Sequence, residues 1–152
     1  MILDEIDYNI LESLSDNARM AMSDISKKVN LSVPAVSERI KKLEKSGFIQ
    51  KYTTVLDAKR FNKNLVCYTY LSLKYSEGGV ERFKKFIQSE ADILECSLVT
   101  GEYEYILKII TDSSESLAKL LDKLRRESDV LTSSTSISLL TLKDLISYQP
   151  KY

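Results

Sequence analysis

The chain has no histidine and no tryptophan, and only four glycines, two prolines and two cysteines among its 152 residues. Without histidine it lacks the side chain that most often serves as a general base or a zinc ligand. Neither GxGxxG nor GxxxxGK[ST] occurs, so no phosphate-cradling loop is predicted. These absences argue against an enzyme, and we expect neither a metal nor a cofactor.

Long hydrophobic runs are also missing. No apolar run approaches the ~18 residues that span a bilayer, and the first ten residues carry acids where a signal peptide carries lysine or arginine. Cys67 and Cys96 stand apart in apolar segments, which fits reduced, buried thiols better than a disulfide. The sequence therefore predicts a globular cytoplasmic protein without a membrane partner.

The formal net charge of zero conceals an uneven distribution. Residues 19–51 contain eight basic and three acidic residues, a net charge of +5, whereas residues 61–152 contain twelve basic and thirteen acidic residues. A positive segment in a neutral protein indicates a confined face that binds a polyanion.

Two short helices are predicted in the N-terminal part of the chain. In residues 4–14 the apolar side chains recur at helical spacing, and Asp4 is the expected N-cap. A second helix over residues 23–29 is expected to be capped by Ser23. Asn30 is then expected to take the left-handed conformation of a tight turn.

A third helix follows, with Ser32 as the expected N-cap, Pro34 in its first turn and Gly47 at its end. Its apolar stripe is formed by Val33, Val36, Ile40 and Leu43. Residues 48–57, "FIQKYTTVLD", alternate as a β-strand. Three short helices followed by a strand hairpin predict a winged helix-turn-helix domain over residues 1–56.

The second half predicts a different domain, over residues 65–152, after a polar linker at residues 57–64. Strands and helices are predicted, in chain order, at residues 65–75, 78–89, 93–100, 103–111, 112–128 and 130–142. This βαββαβ order predicts a ferredoxin-like sandwich, which makes the whole chain α+β. Apolar residues on the uncovered sheet face predict a homodimer, formed sheet to sheet or edge to edge through residues 65–75 and 103–110.

Two stretches carry a resemblance to a known family. The first, "LDEIDYNILESLSDNARMAMSDISKKVNLSVPAVSERIKKLEKSGFI", and the second, "VTGEYEYILKI", resemble the helix-turn-helix and the G-x-Y-D-Y signature of the Lrp/AsnC (feast/famine) transcription regulators. The resemblance covers essentially the whole chain. It implies a DNA-binding dimer that assembles into tetramers, octamers or larger rings, and a C-terminal RAM-type domain that binds an amino acid.

The third helix is the predicted DNA-recognition helix. Small side chains let a helix approach base edges, and Lys41 can donate to guanine, while Glu38 either accepts from cytosine or pairs with a neighbouring lysine. The residues expected to face the major groove are Ser32, Pro34, Ala35, Ser37, Glu38 and Lys41. Those expected to contact phosphates are Arg39, Lys42, Lys45 and Lys51, with Lys27 and Lys28 on the second helix. A surface helix with solvated lysines is the alternative.

The turn between the second and third strands is the candidate effector segment. Gly101 can supply a positive φ, while Tyr103 and Glu104 offer a hydroxyl and a carboxylate to an amino acid. The full candidate set is Thr100, Gly101, Glu102, Tyr103 and Glu104, with Ser134, Thr135 and Ser136 from a neighbouring subunit. The family usually has Asp at position 104, and the extra methylene of Glu would intrude on a pocket for a ligand ammonium group. An ordinary hairpin turn and a polar edge strand are the alternative.

We therefore expect a sequence-specific, DNA-binding transcription regulator of the Lrp/AsnC type. The leading alternative is an architectural, chromatin-like DNA-binding protein that uses the same residues and has no small-molecule response. Minor alternatives are acid–base catalysis by Glu102 and Glu104, which share one face of a strand, and binding of single-stranded RNA by tyrosines on the sheet.

Overall fold

A computed structural model of the chain describes residues 2–144. Met1, at the start of the first predicted domain, and residues 145–152, at the end of the second, lie outside the described residues. The chain divides into two compact units between Val55 and Leu56, and the second unit ends at Leu142. Among the described residues, no helix combines the length and the apolar character needed to cross a membrane.

The first unit is built from three helices, α1 (Glu5–Asp16), α2 (Met22–Val29) and α3 (Val33–Lys45). Each helix turns one apolar stripe inward, because only together can three short helices bury enough apolar surface to be stable. The fully or almost fully buried side chains of this core are Ile10, Ile25, Val29, Val36, Ile40 and Leu43.

Local capping explains where these helices begin and end. The Asp7 backbone N–H donates to Asp4 Oδ1 at 2.8 Å, and the Asp4 N–H donates to Asp7 Oδ2 at 3.2 Å, which forms a reciprocal cap on α1. Asn30 (φ 53°) turns the chain between α2 and α3. Gly47 (φ 78°) follows α3, where a residue with a Cβ would be strained. The predicted cap at Asp4, turn at Asn30 and helix end at Gly47 are confirmed.

Two predicted features of the first unit are wrong. Helix α2 has Ala21 at its N-cap, without a side-chain hydrogen bond, so Ser23 lies inside the first turn. Residues 48–57 form no strand. In the described part of the first unit no other strand lies beside them, and a strand without a partner leaves its backbone groups unpaired. The helix-turn-helix is therefore present, and the predicted strand after it is not formed among the described residues.

The second unit is a four-stranded antiparallel sheet with two helices. Its strands are β1 (Leu65–Leu73), β2 (Ile93–Leu98), β3 (Tyr105–Thr111) and β4 (Val130–Ile137), and its helices are α4 (Gly79–Ser89) and α5 (Ser114–Glu127). The strands lie in the order β2-β3-β1-β4. The predicted α+β, βαββαβ architecture is confirmed.

Alternation along the central strands separates a covered face of the sheet from an open one. On the covered face Cys67, Leu71 and Leu107 are fully buried against apolar side chains of α4 and α5. Both cysteines are free, and burial raises the pKa of the Cys67 thiol and of the partly buried Cys96 thiol. The open face carries Val66, Tyr68 and Tyr70 on β1 and Ile106, Lys108 and Ile110 on β3.

The sheet corrects two further expectations. Strand β4 ends at Ile137, and one more backbone bond follows, from the Ser138 N–H to the Val66 carbonyl. Within the described chain β4 pairs with β1 alone, and β1 begins at Leu65, so no strand lies opposite residues 140–142. Strands β1 and β3 are both central, so each is hydrogen-bonded on both sides. An edge-to-edge dimer through residues 65–75 and 103–110 is therefore excluded, and only face-to-face pairing of the sheet remains for these strands.

The core of the second unit gives the first prediction. Leu107→Ala should lower the free energy of unfolding by about 3 kcal/mol, because the lost burial and the cavity both destabilise the folded state. Leu98, which is 73% exposed at the end of β2, supplies a matched control. Leu98→Ala should change the free energy by less than about 0.5 kcal/mol. Urea denaturation measures both, and equal effects would contradict the packing described here.

Candidate DNA interface and effector segment

Helix α3 presents one face to the core and the other to solvent. Of the residues predicted to face a groove, Pro34, Glu38 and Lys41 lie opposite the buried stripe. Ala35 and Ser37 lie on the flanks of the helix, and Ser32 is its N-cap. Ser32, Pro34, Glu38 and Lys41 are exposed, and Ala35 and Ser37 are half-buried. Ser32 also caps the helix, since its Oγ accepts from the Ala35 N–H at 3.4 Å. Val33, predicted in the apolar stripe, is instead 41% exposed, because it precedes the first inward turn.

The lysines of α3 and of the segment after it differ in their partners. Lys41 Nζ lies 3.5 Å from Glu38 Oε1, so the predicted pairing between these residues is present. Both side chains are about two-thirds exposed, and such a surface pair is weak enough to exchange for another partner. Lys42, Lys45 and Lys51 are exposed and make no ion pair with any residue in 2–144.

The basic residues of α2 are exposed as well. Lys27 Nζ lies 3.7 Å from Asp24 Oδ1, and Lys28 Nζ lies 3.5 Å from Glu12 Oε2. Pairs of this kind, open to water, contribute little to stability. Both ammonium groups therefore remain available to a polyanion.

Arg39 is placed differently from the lysines. Its Nη1 lies 2.9 and 2.8 Å from the two carboxylate oxygens of Asp4 and 2.7 Å from Asp7 Oδ1. A hydrogen bond from the Asp7 backbone, assisted by the Arg39 guanidinium, lowers the pKa of Asp4. The same two carboxylates raise the pKa of Arg39. The sequence predicted a phosphate contact here, and the structure gives this guanidinium partners on α1.

Tyr52 is a feature that the sequence analysis missed. Its hydroxyl donates to Glu44 Oε1 at 2.8 Å, and burial together with that carboxylate raises the pKa of Tyr52 to about 12. This bond ties the segment that carries Lys51 to the last turns of α3. Tyr52 falls within the stretch predicted as a strand, so nothing in the pattern indicated a contact with the helix.

The effector segment forms the turn between β2 and β3, with Gly101 at φ 131°. Glu104 Oε2 accepts from the Leu73 N–H at 3.0 Å, and the Glu104 N–H donates to the Leu71 carbonyl at 3.1 Å. Its carboxylate, predicted to meet a ligand ammonium group, thus holds the turn on the end of β1. Thr100 and Glu102 are exposed.

Tyr103 is half-buried and reaches the open face of the sheet. Its ring lies 6.0 Å from that of Tyr70, measured between centroids, at an angle of 43°. Tyr70 is in turn directly opposite Ser134 in the register of β1 and β4. Tyr103 of the turn and Ser134 of β4 therefore both lie next to Tyr70 on the open face of one chain.

The predicted group on β4 is divided between the two faces of the sheet. Thr135 Oγ1 lies 2.9 Å from the hydroxyl of the buried Thr69, on the covered face, so Thr135 does not join a site on the other side. Ser134 and Ser136 are exposed on the open face. The structure therefore keeps two of the three candidate hydroxyls together and separates the third.

Comparison with known proteins bears on both units. Residues 3–50 match a family model described as winged helix-turn-helix DNA-binding, and residues 69–147 match the model of the Lrp/AsnC ligand binding domain. The HTH-type transcriptional regulator LrpC of Bacillus subtilis is 36% identical over 123 residues, which are 81% of this chain and 84% of that protein. The leucine-responsive regulatory protein of Escherichia coli K12 is 36% identical over 120 residues, 78% of this chain and 73% of that protein.

Solved structures agree with these matches. A transcriptional regulator of Neisseria meningitidis, solved as a complex with L-Met, has a TM-score of 0.92 at 26% identity and covers 97% of this chain and 96% of its own. B. subtilis LrpC has a TM-score of 0.85 at 32% identity, covering 94% of this chain and 99% of its own. The chain belongs to the Lrp/AsnC family of DNA-binding transcription regulators, which are not enzymes, and it carries that family's ligand-binding domain.

Proposed function

We propose that the protein is a sequence-specific regulator that inserts α3 into the major groove of double-stranded DNA. The observation that carries this proposal is the outer face of α3, where small side chains in the first turns are followed by exposed lysines. A helix fits the major groove of B-DNA, and it approaches the bases closely when its outer residues are small, as Ala35 and Ser37 are. Lys41 then donates to guanine once its weak pair with Glu38 opens.

The remaining cations suit the phosphate backbone. Lys42, Lys45 and Lys51 have no acidic partner among the described residues, and Lys27 and Lys28 have only weak ones. Phosphate contacts hold a protein on the duplex without reading its sequence, and each displaces counterions. The division between small groove-facing residues and flanking lysines supports base recognition over purely architectural binding.

We propose a homodimer as the unit that binds DNA, with tetramers or octamers built from it. The open face supports face-to-face pairing, because it presents apolar and aromatic side chains that no helix within residues 2–144 covers. A twofold partner would supply a second α3, and a helix-turn-helix dimer reads two half-sites about one helical turn of DNA apart.

We further propose an amino acid as the effector. Two observations support this class of ligand: the match to a ligand-binding domain, and the L-Met complex of the Neisseria relative. The groups proposed to meet it are Thr100, Gly101, Glu102 and Tyr103 in the turn, and Ser134 and Ser136 on the open face. Glu104 holds the turn in place through Leu73.

Selection of duplexes from a random DNA pool tests the DNA-binding proposal. We expect the protein to enrich one motif with twofold symmetry, and footprinting to place it in the major groove. Ser37→Glu/Lys41→Glu should abolish binding, because two carboxylates would then face base edges and phosphates. Equal binding of all sequences would support the architectural alternative, and full affinity in the double variant would refute the role of α3.

Analytical ultracentrifugation tests the dimer. The 17.4 kDa chain should sediment at twice that mass or more, and Tyr68→Glu/Ile106→Glu should shift it toward the monomer, since burying unpaired charge at an interface is costly. Val80→Glu replaces an apolar residue on α4 that is 45% exposed and should leave the mass unchanged. A wild-type monomer at micromolar concentration would contradict the proposal.

Calorimetry with the twenty amino acids tests the effector. We expect heat from at least one, weakened by Tyr103→Phe and Ser134→Ala, because each removes a hydroxyl that would otherwise pair with the ligand. Thr135→Ser changes the same strand on its covered face and should leave binding intact. Absence of heat with every amino acid would remove this part of the proposal.

A further inference from the structure

We infer that Arg39 is a positioning residue for DNA recognition, which holds α3 against α1 through Asp4 and Asp7 and does not itself neutralise a phosphate. This inference rests on the proposed role of α3 in DNA binding. Arg39 has the same charge as the lysines around it and lies on the same helix. We nevertheless assign it a different role.

Arg39 binds oxygens that the N-terminal cap of α1 already holds in place. Asp4 Oδ1 accepts both from the Asp7 N–H and from Arg39 Nη1, while Asp7 uses one oxygen for the Asp4 N–H and the other for Arg39. The two carboxylates are therefore already fixed by the N-terminal cap of α1 when they bind the guanidinium. Because three oxygens of a rigid cap surround Nη1 of Arg39, this contact fixes the distance between the middle of α3 and the start of α1.

Moving Arg39 away from this site would cost free energy. The Asp7 side chain is only 5% exposed, so it depends on protein groups rather than on water to stabilise its charge. If Arg39 turned away to a phosphate, Asp7 would be left as a buried charge without a counter-ion, which is strongly unfavourable. A solvent-exposed phosphate contact offers less, because water and salt screen it. The guanidinium therefore stays with Asp7 when DNA binds.

Lys42 provides the contrast. It stands less than one turn further along α3 and lines the same shallow hollow as Arg39, Asp4 and Asp7. Lys42 nevertheless makes no ion pair with any described residue, so its charge is available to DNA. Removing either residue takes one positive charge from the same part of the helix, which makes Lys42→Ala the matched control for Arg39→Gln.

The test measures affinity over a range of salt concentrations for two probes, a duplex recovered by selection and a mixed-sequence duplex. Lys42→Ala should weaken both probes equally and flatten the slope of log K against log[salt] by about 0.9 per protomer. Arg39→Gln should leave the slope unchanged. It should weaken the selected duplex by roughly tenfold and the mixed duplex less, since only base contacts need the exact placement of α3.

A double-mutant cycle with Asp7→Asn shows whether Arg39 acts through its partner. In the Asp7→Asn background, Arg39→Gln should cost clearly less affinity for the selected duplex than it does in the wild type, since contacting residues are not additive. Asp4→Asn, which can still cap α1, is a milder variant that tests the same linkage if the others unfold. Circular dichroism confirms that each variant is folded at the temperature used.

Two results would overturn the inference. A flattened slope for Arg39→Gln, with no coupling to Asp7, would make Arg39 a phosphate contact. A lowered melting temperature with unchanged affinity of the folded protein would make it a structural residue only. If the wild-type protein binds neither duplex, it is the proposed function that fails, and this outcome is distinct from both.

Discussion

The buried carboxylate of Asp7 is the constraint on which the DNA-facing unit depends. A charge with 5% side-chain exposure must have a counter-ion, and Arg39, on a different helix, supplies it. Because Asp7 is also bound by the backbone of Asp4, the start of α1 and the middle of α3 become one rigid assembly. The apolar core brings the three helices together, and this polar contact fixes the start of α1 against the middle of α3. A core of aliphatic side chains alone tolerates small rotations of a helix.

The sequence predicted the features whose cause is local. Local preferences predicted a helix cap at Ser32, a left-handed turn at Asn30 and a helix end at Gly47. All three features lie where expected. The βαββαβ order follows from hydrophobic periodicity in the same way. Contacts between distant residues were not predictable. Arg39 lies 32 residues from Asp7 in the sequence. The spacing of residues does not show whether an arginine binds a carboxylate of the same chain or a phosphate of DNA.

The two errors in strand prediction share one cause. Residues 48–57 and 139–142 alternate or are rich in β-forming side chains, but neither segment is paired with a strand within the described chain. Alternation reports that a segment is compatible with a sheet, whereas a strand exists only where a neighbour accepts and donates its hydrogen bonds. The first segment is held by the Tyr52–Glu44 bond instead, and the second leaves Leu139 almost fully exposed.

The sheet decides which polar residues can act together on the effector side. Neighbouring residues of a strand point to opposite faces, so Thr135 binds Thr69 while the serines beside it face the open side. The Glu104 carboxylate reaches the Leu73 N–H, so this charged group is engaged with the end of β1. In the effector site proposed above, the hydroxyl groups of Tyr103, Ser134 and Ser136 would act beside the carboxylate of Glu102, so hydrogen bonds would supply most of the polar contacts to a ligand.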